Sequence, residues 1–228
     1  MVDIYWYGQS CFKIKGKNAA VVVDPYNPDF VGLKLPKIEA DIVCISHGHE
    51  DHNFLDVVKS TETKDPIDTG ITSEKPFVIA GPGEYEISGV NIVGITSFHD
   101  DKNGEERGKN TIYQILIDGV SVVHLGDLGQ KKLTQTQIEA ISGCDVLMIP
   151  VGGVYTIEAK DASDIIASLE PKIVIPMHYR VNGLKFELAP VSDFMKVIGK
   201  ENIEEMPKLS VSVEKLPEEL EVALLSIQ

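Results

Sequence analysis

Three histidines and an aspartate crowd into one hexapeptide, His47-Gly48-His49-Glu50-Asp51-His52. With only six histidines in the chain, the pattern His-x-His-x-Asp-His has a chance expectation of roughly 3 in 10,000. Metal binding is the chemistry that such crowding serves. Neutral imidazole is a preferred nitrogen ligand for zinc and related divalent ions, and carboxylate oxygen completes such a set. His47 and His49 stand two apart and can converge on one ion. Asp51 and His52 are adjacent, so their side chains diverge and suit a second one. Gly48 gives the backbone freedom to turn between them. A surface histidine tract is the plain alternative. Such tracts sit in polar, disordered sequence, however, and this hexapeptide follows directly on the apolar run Asp41-Ile-Val-Cys-Ile-Ser46.

The other histidines also end apolar runs. Ile95-Thr-Ser-Phe-His99, Ser121-Val-Val-His124 (followed by Leu-Gly126-Asp127) and Val174-Ile-Pro-Met-His178 each read as a strand with a histidine at its C-terminal end. Strand ends gathered at one sheet edge are where loops on a rigid scaffold assemble sites. Alone, His99 and His178 read as hydrogen-bonded strand-end histidines and Asp127 as a turn residue; beside the hexapeptide they become candidate ligands.

Positioning such groups requires many strands. Val2–Tyr7, Cys11–Lys15, Ala19–Asp24, Pro76–Ala80, Glu84–Ser88, Val90–Phe98, Thr111–Asp118 and Val120–Leu125 are apolar or alternating segments between turn residues. Asp41–Ser46, Asp145–Pro150 and Lys172–Met177 are continuous apolar runs that suit strands buried on both faces. Leu209–Leu216 and Leu220–Ile227 are predicted as the last strands. Helices are expected at Phe54–Lys59, after the Thr134-x-x-Gln137 capping box, at Ala159–Glu170 and at Val191–Ile198. The polar stretches 60–75 and 100–110 should be surface loops. Many strands with interspersed helices and no linker predict two packed sheets flanked by helices, in one domain spanning residues 1–228.

Composition narrows the function classes. The chain has 228 residues, 43% of them hydrophobic and 25% charged, which excludes a disordered or fibrous protein. A net charge of −14 opposes long-range attraction to phosphate backbones, so no nucleic-acid partner is expected. No apolar stretch approaches the length of a membrane span and no signal-peptide pattern opens the chain, so a cytoplasmic location without membrane contact is expected. Cys11, Cys44 and Cys144 are odd in number, widely spaced and set in or beside apolar runs, which reads as buried free thiols. No Gly-x-Ser-x-Gly elbow or phosphate loop occurs.

On His47-Gly-His49-Glu-Asp51-His52, His99, Gly126-Asp127 and His178, the chain resembles the metallo-β-lactamase-fold hydrolase superfamily over nearly its full length. Tyr7-Gly8-Gln9-Ser10-Cys11-Phe12, Asp24-Pro25 and Gly152-Gly153-Val154-Tyr155-Thr156 are similar to its lactonase-like branch, which includes L-ascorbate-6-phosphate lactonase. The resemblance implies a four-layer αββα sandwich of two mixed β-sheets flanked by helices. It implies a metal site of His47, His49 and His99, a second of Asp51, His52 and His178, and Asp127 bridging them. Two divalent ions would bind, zinc foremost with manganese or iron as alternatives. A hydroxide bridging them would cleave an ester, lactone or phosphoester bond of a small molecule, with Asp51 orienting the water and accepting its proton.

Several residues are placed less sharply. His124 has no ligand role in the family's motifs and reads as a buried histidine holding a carboxylate or backbone carbonyl behind the ligands. Arg107-Gly108-Lys109-Asn110 reads first as a solvated turn; as the second reading, Arg107 and Asn110 would reach an anionic substrate. Tyr155 and Tyr179 are candidate specificity residues. The alternatives are an RNA- or DNA-processing nuclease, a flavin-coupled di-iron oxidoreductase, disfavoured by His at position 49, and a non-catalytic metal-binding member. Position 127 is Asp rather than Cys, which argues against β-lactamase activity. A homo-oligomer is left open.

Overall fold

The computed structural model of the protein describes residues 1–61 and 75–228. In chain order the strands are β1 (Val2–Trp6), β2 (Phe12–Lys15), β3 (Ala20–Val23), β4 (Ile38–Ala40), β5 (Ile42–Cys44), β6 (Val58–Ser60), β7 (Phe77–Ile79) and β8 (Gly83–Ile87). They continue with β9 (Val90–Phe98), β10 (Lys109–Ile117), β11 (Val120–His124), β12 (Val146–Pro150), β13 (Ile173–Met177), β14 (Leu209–Val211) and β15 (Glu221–Val222). The helices are α1 (Pro28–Val31), α2 (Gln135–Ala140), α3 (Ala159–Leu169) and α4 (Val191–Val197).

One sheet has the order β14-β1-β2-β3-β5-β7 and the other β15-β13-β12-β11-β10-β9-β8. Both are mixed: β3, β5 and β7 run parallel in the first, as do β11, β12, β13 and β15 in the second. The two sheets share one core. Trp6, Phe12, Val21, Val23, Ile42 and Cys44 of the first meet Ile92, Ile112, Ile115 and Val122 of the second. Period-two alternation sends Val22, Val43 and Ile45 to the other face of the first sheet, where Tyr26, Val31, Ile38 and Val57 cover them. Burial on both faces is why these runs carry no polar alternation. α3 and α4 pack against each other and add Ala162, Ile165, Ile166, Phe194 and Met195 to the shared core. The predicted capping box of α2 is present, with Thr134 and Gln137 bonding each other's backbone N–H groups. All three cysteines are free and buried. Among the described residues, no helix is long and apolar enough to cross a membrane.

Four local expectations need correction. Phe54–Lys59 is not a helix: Phe54 supplies no side-chain cap, Leu55–Val57 makes one 3-10 turn, and Val58–Ser60 pairs with β4. The strand at 209–216 stops at Val211, because its partner β1 begins at Val2, opposite Val211. Only Glu221–Val222 of 220–227 is a strand, and the rest makes isolated bridges such as Trp6 with Ile227. Lys109 and Asn110 belong to β10 rather than to the preceding loop. The expected loop at 60–75 falls largely on residues 62–74, outside the described residues.

Candidate metal centre

The histidine-bearing strand ends do meet. The hexapeptide follows β5 of the first sheet, whereas His99, Asp127 and His178 follow β9, β11 and β13 of the second. They form two groups, His47/His49/His99 and Asp51/His52/Asp127/His178, each with its ligand atoms within 4.8 Å of one another. Asp127 stands at the junction. Its Oδ2 lies 3.2 Å from His52 Nε2, 3.2 Å from His178 Nε2 and 3.5 Å from His99 Nε2. The His47 ring centroid is 4.6 Å from that of His49, 4.2 Å from His52 and 4.8 Å from His99.

His47, His52 and Asp127 are held from behind. Asp24, fully buried, accepts the Ser46 backbone N–H at 2.7 Å, the Ser46 hydroxyl at 2.6 Å and the His52 Nδ1–H at 2.9 Å. Ser46 Oγ in turn lies 2.9 Å from His47 Nδ1. With its hydroxyl proton on Asp24, that oxygen accepts the Nδ1–H of His47. Both imidazoles therefore keep a proton on Nδ1 and aim Nε2 inward, and on metal binding that nitrogen would supply the lone pair. On the other side, Ser10 Oγ donates to Asp127 Oδ1 at 3.1 Å, and Asn110 Oδ1 accepts the Asp127 N–H at 3.1 Å. Asn110 Nδ2 donates to the Leu125 carbonyl and to Ser97. His178 leaves β13 in the left-handed region (φ +52), as Asp24 leaves β3 (φ +50). Such strain in non-glycine residues persists only where surrounding structure fixes it. Gly126 is needed at its place, since a Cβ there would stand 2.3 Å from Asn110 Oδ1.

The electrostatics call for a cation. Burial pulls the His47 pKa down to about 3, with His52 pushing the same way, so this imidazole stays neutral. Burial likewise lowers His99. Burial would raise Asp51, but His52 outweighs it and holds the carboxyl at about 2; Asp127 is driven well below the ordinary range, with His178 and His52 overcoming its burial. His52 moves the opposite way: Asp127, Asp51 and Asp24 overcome burial and raise it. The Nε2 atoms of His47 and His52 are buried without a hydrogen-bond partner. Unpartnered imidazole nitrogens facing ionised carboxylates, in a nitrogen-and-oxygen donor set, fit divalent zinc, manganese or iron.

The remaining predicted residues divide. His124 is no ligand: its Nδ1 accepts the Gly126 N–H at 3.0 Å and its Nε2 donates to the Ser10 carbonyl at 2.9 Å, so both nitrogens are committed. Asn110 is a buried support of Asp127, not a substrate contact. Tyr179 is buried and packs on Trp6 (centroids 5.0 Å apart), so it is not a specificity residue of the cleft. Gly48 has no positive φ and its Cβ would meet nothing within 4 Å, so freedom to turn is not its role. A cleft of about 520 Å3 opens over the ligands, lined also by Phe30, Glu50, Glu106, Arg107, Tyr155 and Phe186. Asp24 and Ser46 support the site without standing in any metal-ligand pattern of the sequence, although Asp24 ends an apolar strand just as Asp127 follows one. Phe30 and Phe186 carry no local signal at all.

Comparison with known proteins agrees with this geometry. The profile described as Beta-lactamase superfamily domain matches residues 3–178. A Thermotoga maritima crystal structure, provisionally described as a Zn-dependent hydrolase of the metallo-β-lactamase superfamily, superposes with TM-score 0.78 at 35% identity, covering both chains fully. A UPF0173 metal-dependent hydrolase of Thermococcus onnurineus is 29% identical over 212 residues, 87% of this chain and 93% of the relative. One from Staphylococcus carnosus is 27% identical over 227 residues, 89% of this chain and 95% of the relative. The chain belongs to the metallo-β-lactamase superfamily and, within it, to a family of metal-dependent hydrolases.

Proposed function

We propose that the protein is a hydrolase that uses two divalent metal ions, zinc foremost, to cleave an ester, lactone or phosphoester bond in a small molecule. His47, His49 and His99 would hold one ion, Asp51, His52 and His178 the other, and Asp127 both. The observation that carries this reading is the Asp127 carboxylate, within 3.5 Å of imidazole nitrogens belonging to both groups. Bound there, the ions would polarise the scissile carbonyl or phosphoryl oxygen and acidify the attacking water.

The chain's own groups supply the rest. Asp51 lines the cleft and is ionised, so it orients the attacking water and accepts its proton. Asp24 keeps the His52 proton on Nδ1, Ser10 fixes the Asp127 carboxylate and Asn110 holds the Asp127 backbone N–H. A cavity of about 520 Å3 is the size of small-molecule sites. Its lining holds one Lys or Arg among the described residues, too little positive charge to track a phosphate backbone.

The test is a panel of esters, lactones and phosphodiesters assayed on the purified protein, on protein stripped by a chelator, and after Zn2+ or Mn2+ is restored. Turnover should vanish on stripping and return on reloading. Activity indifferent to chelation contradicts the reading.

A further inference from the structure

The outer half of the cleft has walls that the metal chemistry does not require. Phe30 of α1, Phe186 after β13 and Tyr155 after β12 come from three separate segments and meet at its mouth. Ring centroids are 5.4 Å apart for Phe30 and Phe186, and 6.4 Å for Tyr155 and Phe186. Phe30 is 42% and Tyr155 39% exposed. Aromatic surface left open to water around a cavity marks a binding surface. These walls are also preorganised. Gly32 ends α1 in the left-handed conformation, and Lys185 ties the Phe186 loop to α1 through its N–H to the Val31 carbonyl and its Nζ to the Asp29 carbonyl.

Arg107 completes the wall. Its guanidinium lies 5.6 Å from the Tyr155 ring centroid, within cation–π range, and no carboxylate among the described residues is ion-paired with it. The neighbouring Glu106 is taken by Lys102. The loop carrying Arg107 is folded around Asp100, which directly follows His99. The Asp100 carboxylate accepts the N–H groups of Lys102, Gly104, Glu106 and Arg107 at 2.7–3.0 Å. A cation without a carboxylate partner, placed on an aromatic ring in a chain of net charge −14, lacks a structural reason and has a recognition one.

We propose that this half of the cleft recognises a flat apolar monocarboxylate, with the hydrocarbon among the three rings and the carboxylate on the Arg107 guanidinium. The substrate is then an ester or lactone bearing a carboxylate remote from the scissile bond, an inference that rests on the hydrolase reading and refines it. Glu50 and Glu106 also face the cavity, so one guanidinium balances a monoanion better than a phosphate dianion.

Calorimetric titration with 2-naphthoate and its neutral isostere 2-naphthamide tests the subsite without turnover, on metal-loaded and metal-stripped protein. Wild type should prefer naphthoate in both forms, and R107Q should shrink the naphthoate-to-naphthamide affinity ratio about tenfold or more. Phe186→Ala should weaken both probes, and D100N should weaken naphthoate while leaving Arg107 present. Lys131→Gln, a nearby exposed cation paired with Asp101, should change neither. No naphthoate preference in wild type, a preference lost only on metal stripping, or a ratio indifferent to R107Q overturns the proposal. Should the ester panel fail while the ratio depends on Arg107, the subsite stands and the hydrolase reading falls.

Discussion

At Asp24 a single buried carboxylate serves three donors and decides which nitrogen of His52 is bare. In D24N the amide would present N–H to His52 Nδ1, moving the ring proton to Nε2, where it blocks the lone pair. The same N–H would meet Ser46 Oγ and turn the hydroxyl proton toward His47 Nδ1, so metal affinity should fall about 10- to 100-fold at both groups. Competition titration against a chromophoric chelator checks this; unchanged affinity in D24N would count against it. Asp51→Ala should lower kcat by about 10²-fold or more while the circular dichroism spectrum is unchanged, and full activity in that variant would remove its proposed role. The histidines that converge here were legible because their types and spacing are rare together. Asp24 was not, since a lone carboxylate 23 positions before His47 acquires its meaning only when β3 and β5 lie side by side. Tyr179 misled for the same reason: beside a ligand in sequence, its ring turns to Trp6 and the core.

Among the elements, β11 shows how one strand serves both core and site. All five of its residues are buried, and His124 at its end ties β11 to the Ser10 turn that supports Asp127 through Nε2, while its Nδ1 holds the Gly126 N–H. Burial lowers the His124 pKa below the ordinary 6.5, against the pull of Asp24 and the Ser10 carbonyl. Below pH 6.5 the unfolded chain binds a proton there and the folded chain does not, so acidification costs stability, at most about 1.4 kcal/mol per pH unit. Urea midpoints of chelated protein at pH 7 and pH 5 should show this loss, and His124→Gln should show a smaller one. An equal loss in both proteins would contradict the assignment. Strands buried on both faces and the α2 capping box were readable because each is a local pattern. The ends of β14 and β15 were not, because a strand stops where its partner does, and that is a tertiary fact.

For the whole molecule, the decisive feature is that one centre draws on both sheets: the hexapeptide from the first, and His99, Asp127 and His178 from the second. Ions bound there would link the sheets and would bind only the folded chain. At a free metal concentration 1,000-fold above Kd this contributes about 4 kcal/mol per site. For a chain of this length each kcal/mol is worth about 2–4 °C, so chelation should lower Tm by about 8 °C or more; an unchanged Tm would mean that the groups do not hold metal. That two mixed sheets would form was legible from apolar runs. Which strand ends would coincide was legible only through the family resemblance, because no local pattern encodes the approach of residues as distant as His47 and His178. Elemental analysis of native protein and of Asp127→Ala tests the central claim most directly. The wild type should carry about two divalent ions per chain and the variant, without the carboxylate shared by both groups, distinctly fewer. A wild type with no bound metal under loading conditions, or a variant with the full complement, would contradict it.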